Sequence, residues 1–216
     1  PPLGRDTTHG PGLFSELEAR GGVASRFPEA MKELFRRDFE GGMGAYHEKE
    51  RANINGLQNE IALYLSEFEV GQYSTFRQLL RLFGCKETLY STLNYDLLIE
   101  GAARQLGGFT YGTKVMADHF NIIKLHGSCN YFPAMEASGI VTKNGPVAYM
   151  GPIMFVKTTE TQQRLTNYRG ISPAMAVYTA GKPYIVRSNY LRMQLEAWQL
   201  AARAVPQIFL HGISVN

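Results

Sequence analysis

Three short polar clusters carry residue types from which a reactive site could be built: Asn94, Tyr95 and Asp96; His126, Gly127 and Ser128; and His211, Gly212 and Ser214. Carboxamide and carboxylate side chains orient a ligand, and an imidazole can take a proton near neutral pH. Glycines beside them let backbone amides come close to what is bound. Other chemistries are thinner. No Gly-x-Ser-x-Gly elbow occurs, and no Gly-Lys-Ser or Gly-Lys-Thr of a phosphate loop. Gly181-Lys182 runs into Pro183, which removes an amide that a phosphate cradle would use. Cys129 stands three residues after His126 and invites a cysteine–histidine pair. Such pairs are assembled across a fold, and near neighbours in sequence rarely have the geometry. Paired carboxylates of the glycosidase kind reduce to Asp96 and Glu100.

Cys85 and Cys129 are the two cysteines, too few for a four-thiolate zinc site or a disulfide framework. Free thiols in a reducing, cytoplasmic setting are expected, and no metal. A chain of 216 residues with 44% hydrophobic and 19% charged residues excludes a disordered chain and a charged coiled coil. No apolar run reaches the ~18 residues of a membrane helix, and Pro1 to Gly12 lacks the basic-then-apolar pattern of a secretory leader. The net charge of +3 is weak reason for a polyanionic partner, so neither nucleic acid nor membrane binding is expected. From residue 161 onward six basic side chains face one acid, Glu196. That end could attract a phosphate-bearing ligand or form a solvated helix face.

The elements that must position these clusters alternate. Residues 26–86 read as a helical subregion. Pro28 sits at a first helical position before Met31, Leu34, Phe35 and Phe39, with Gly41 and Gly42 predicted to end that helix. Ile54 to Phe68 forms a second helical run, and Ser74 opens a third that stops at Gly84. Thr88 to Leu93 has the β-branched and aromatic texture of a strand and delivers the Asn94 cluster. A helix follows to Gly107. Ile122 to Leu125 is a second strand, delivering His126. A long helix over about residues 187–204 precedes a third strand, Gln207 to Leu210, which delivers His211, Gly212 and Ser214. Strands alternating with helices predict an α/β fold: a Rossmann-like open parallel sheet flanked by helices, with a helical insertion in the N-terminal half. In such sheets ligands bind at the carboxyl edge of the strands.

The segments TLNYDLLIE (Thr92 to Glu100) and KLHGSCNY (Lys124 to Tyr131) resemble the sirtuin-like NAD-hydrolysing domains of bacterial anti-phage defence proteins. IFLHGISVN at the end resembles their third loop, and PPLGRD the piece after their first glycine-rich loop. The resemblance spans nearly all of residues 1–216 as a single NAD-binding domain. It implies a first strand and glycine-rich loop upstream, and more protein downstream.

The resemblance implies an NAD glycohydrolase that releases nicotinamide and ADP-ribose, the NAD-depleting effector of a defence system. Asn94 would hold the nicotinamide-ribose region and position the attacking water, and His126 would contact the ribose hydroxyls and serve as base. Tyr95 would wall the pocket and Asp96 would lie near the carboxamide. Gly127 and Ser128 would shape the second loop, while Gly212, Ser214 and Asn216 would touch the adenosine half. A homo-oligomer with a phage-derived or partner-protein trigger is also implied. Cleavage builds positive charge on the sugar, as in glycoside hydrolysis, so a polar group near the cation and a base are what the chemistry needs. Leu93 departs from the pattern, standing where these proteins often have threonine and deacetylating sirtuins glutamine. The zinc module of deacetylating sirtuins is missing, which argues for hydrolysis and against deacetylation.

Other readings stay open. Asn94 is a good turn residue, Asp96 a good helix cap and His126 a plausible core histidine. An NAD or ADP-ribose sensor without turnover, or an interaction scaffold, would fit the same residues.

Overall fold

The computed structural model describes residues 6–8, 10–50, 53–112, 116, 118–134, 151–167, 171–176 and 188–208. Five helices come first: α1 (Leu13–Ala19), α2 (Glu29–Arg37), α3 (Phe39–Lys49), α4 (Ile54–Ser66) and α5 (Thr75–Phe83). Then come β1 (Leu89–Thr92), α6 (Leu98–Leu106), β2 (Phe109–Tyr111) and β3 (Phe120–Lys124). A short antiparallel pair, β4 (Tyr131–Pro133) and β5 (Ile153–Phe155), leads to α7 (Thr158–Asn167) and α8 (Asn189–Ala204). The fold is mixed α/β. Its parallel sheet is small, three strands in the order β1-β3-β2, and helices flank it.

Side-chain caps open α3, α5 and α8. Ser74 accepts a hydrogen bond from the Phe76 amide to open α5, and Ser188 does the same for Leu191 in α8. The expectation that Gly41 and Gly42 end a helix is corrected. The break falls earlier, at Asp38, whose carboxylate accepts the Gly41 amide and starts α3. Gly42 lies inside α3 because a Cβ there would stand 2.5 Å from the Phe35 ring, so glycine is what lets α2 and α3 approach. At the expected third strand, Gln207 and Ile208 take no strand conformation; Phe209 and Leu210 lie outside the described residues.

Three apolar clusters hold the architecture, the smallest joining Tyr131, Ile171, Ala174 and Leu191. The largest joins α1 to α3 through Phe14, Phe27, Phe35, Phe39 and Tyr46, takes in Ile54, Leu57 and Ile61 of α4, and continues into Tyr95, Leu97, Cys129 and Phe132 beside the strand ends. Phe14 and Phe35 stack at 4.6 Å between ring centroids. The second cluster sets Leu80 of α5 and Ile99, Ala102 and Ala103 of α6 against Tyr90, Phe120 and Ile122 of the sheet. Among the described residues no helix is long and apolar enough to cross a membrane.

Candidate functional site at the carboxyl ends of β1 and β3

β1 and β3 are neighbours in parallel, with Leu89 opposite Asn121 and Thr92 opposite Lys124. The ladder runs one step further, since the Leu125 amide donates to the Thr92 carbonyl at 3.2 Å. Asn94 and His126 therefore leave the sheet on the same edge, each two residues beyond the Thr92–Lys124 pair. Parallel pairing with in-step ends is what brings these two residues to the same edge.

The first loop divides its residues sharply. Asn94 is exposed, and its amide donates to Thr92 Oγ1 at 3.1 Å. Tyr95 is buried, and its phenol donates to the Ala176 carbonyl at 2.8 Å. Asp96 is buried too; its Oδ1 accepts the Leu98 amide at 3.0 Å at the start of α6, the capping role open to it. The two loops are bonded to each other, for the Tyr95 carbonyl accepts the Cys129 amide at 2.9 Å and the Ser128 hydroxyl at 3.3 Å.

In the second loop His126 is half-buried, its ring 6.4 Å from that of Tyr95 and inclined at 32°. Its carbonyl accepts the Ala176 amide, and the Ser128 amide donates to the Ala174 carbonyl, so residues 171–176 cross this loop like a strap. The strap is pinned at its other side: Ser172 donates to Gln58 Oε1 at 2.8 Å, and Gln58 Nε2 donates to the Met175 carbonyl at 3.2 Å. Gly127 permits this arrangement. Its φ of +84° is left-handed, and a Cβ there would run into the Ala174 carbonyl. Ser128 has no exposed surface; its hydroxyl serves the loop-to-loop bond. Cys129 is likewise buried, and burial pushes its thiol up to about 12, so it is protonated at neutral pH and no nucleophile. Gly212, Ser214 and Asn216 lie outside the described residues.

Sequence reasoning missed the polar network beneath the loops. Lys124 Nζ donates to Glu100 Oε1 at 2.9 Å and to the Asp96 carbonyl, with Lys124 and Glu100 fully buried. The Tyr111 phenol donates to the same Glu100 oxygen at 3.0 Å, and Asn130 Nδ2 donates to Tyr111 at 3.1 Å. Burial pushes the Tyr111 phenol well above its ordinary range, with the Glu100 charge adding to it, so it acts here as a neutral donor. One signal was present in the sequence: a lysine directly after Ile122 and Ile123, at the end of a strand whose five residues are all buried.

Among the described residues no group of three or more His, Cys, Asp or Glu side chains could hold a metal ion. Of the residues at this edge Asn94 is exposed and His126 half-buried, whereas Tyr95, Asp96 and Ser128 are buried and make bonds within and between the loops. Comparison with protein-family models, curated proteins and solved structures returns no match for this chain.

Proposed function

We propose that this chain is an NAD glycohydrolase domain, with its parallel strands the visible part of a Rossmann-like sheet and NAD bound at their carboxyl edge. The observation that carries the reading is the register of β1 with β3, which sets Asn94 and His126 at equal height on one edge. The likeness of TLNYDLLIE and KLHGSCNY to NAD-hydrolysing sirtuin-like domains supports it from the sequence side.

In this reading Asn94 orients a water molecule toward the sugar carbon that bears nicotinamide, and His126 takes a proton as the glycosidic bond breaks. The bond between ribose and nicotinamide cleaves, nicotinamide leaves with the bonding electrons, and water supplies the hydroxyl of ADP-ribose. The wider proposal, a defence effector that assembles into oligomers and is set off by a trigger, follows from the resemblance alone.

The test is release of nicotinamide from NAD by the full-length protein with its trigger, without acetylated peptide. Accumulation of nicotinamide matching NAD loss is the expected outcome. NAD left intact over hours at high protein concentration, with binding still measurable by calorimetry, would replace the hydrolase with a sensor.

A further inference from the structure

We infer that Lys124 is a positioning residue, whose buried ammonium fixes the Asn94 loop against the strand that carries His126, with Glu100 as its counter-ion; the catalytic part of this inference rests on the NAD-cleaving reading. Lys124 lies on β3 two residues before His126, and its Nζ donates to the carbonyl of Asp96, two residues after Asn94. One side chain thus spans from the base of one loop to the backbone of the other. Its charge is matched by Glu100 on the first turn of α6, held in turn by the Tyr111 phenol. Asn130 braces that phenol while its Nδ2 also donates to the Val156 carbonyl at 3.1 Å, which anchors the network outside the two loops.

Burial alone does not explain the pair. Taking two ions out of water costs several kcal/mol each, and apolar residues of like volume often serve a core as well or better. The neighbouring Ile122 and Ile123 are fully buried and show what the strand uses where only burial is needed. What an aliphatic side chain lacks is a donor for the Asp96 carbonyl, and a buried backbone carbonyl needs one. Small displacements at reacting groups are costly in rate, so holding this loop is a catalytic matter although Lys124 touches no substrate.

The experiment compares the wild type with the double variant Glu100→Gln/Lys124→Met. The wild type keeps the tether with its counter-ion, and the double variant removes both charges together, leaving no lone buried ion. Hydrogen exchange over residues 94–97 should be on the order of tenfold faster in the double variant, with β3 unchanged, if the tether sets local opening. Its kcat should fall on the order of tenfold or more below the wild type, with KM and the acid limb of the pH profile unmoved. Equal exchange and equal kcat in the two proteins would overturn the inference. A wild-type protein that leaves NAD intact removes the hydrolase reading, and the exchange comparison then decides the tether alone. If the double variant does not fold, the wild type still decides. A protected Lys124 ammonium resonance coupled to the Asp96 carbonyl carbon supports the tether, and a freely exchanging ammonium refutes it.

Discussion

Adjacent residues at this edge meet different ends: Asn94 faces solvent, Tyr95 is bonded into the interior, and Asp96 caps a helix while its carbonyl receives the buried Lys124. The same holds for His126, half-buried, and Cys129, wholly buried three residues on. The thiols should therefore separate cleanly. Cys85 is half-buried, so one thiol should react with an alkylating reagent in native protein and two in denaturant. Because burial raises Cys129 from 9.0 to about 12, its native labelling rate should not climb between pH 7 and pH 9. The linkage has a definite sign. The folded form keeps a proton that the unfolded form gives up above pH 9.0, so this group's contribution is full below 9.0 and is lost as pH rises toward about 12. Burial raises Tyr90 to about 12 as well, which adds loss in the same direction above its ordinary 10.0. Urea midpoints at pH 10.5 should thus lie below those at pH 8; equal midpoints would show both groups to be solvated. At this scale much was legible. Asp96 and Gly127 announced themselves by type, but a lysine and a glutamate 24 positions apart give no sign in sequence that they will pair.

Elements decide how firmly the edge is held. The strap of residues 171–176 rests on the second loop only because Gly127 has no side chain and a left-handed backbone. Gly127→Ala should cost about 3 kcal/mol or more, combining backbone strain with displacement of the strap. Calorimetry would show this as a fall in Tm, and an unchanged Tm would mean that the strap does not sit there in solution. In the helical half Asp38→Ala should cost about 1 kcal/mol, the usual worth of a helix cap, because its carboxylate receives the Gly41 amide. β1 and β3 were legible within a residue or two, as apolar runs closed by Asn or His-Gly. β2, β4 and β5 were not. Each has three residues, too short for an alternating pattern to declare itself, and each depends on a partner strand for its identity. The glycine pair at 41 and 42 misled for a physical reason: close helix approach, visible only once Phe35 is in place, can require glycine as firmly as a helix end does.

Over the whole molecule, the aromatic core of α1 to α4 runs without a break into Tyr95, Leu97 and Cys129 at the strand ends. Helical half and edge should therefore melt together, with far-UV circular dichroism and near-UV tyrosine signals coincident. Phe35→Ala, fully buried in that core, should cost about 3–5 kcal/mol yet leave activity per folded molecule intact. That contrast defines what the edge residues must do. The most direct measurement of the central claim is nicotinamide release per folded molecule by His126→Ala, with Tm recorded on the same preparation. A base that takes a proton in the rate-limiting step predicts a loss on the order of 100-fold or more at a Tm close to wild type. A variant that melts early but cleaves NAD at the wild-type rate per folded molecule would contradict the account, making His126 a packing residue and leaving the edge without its base.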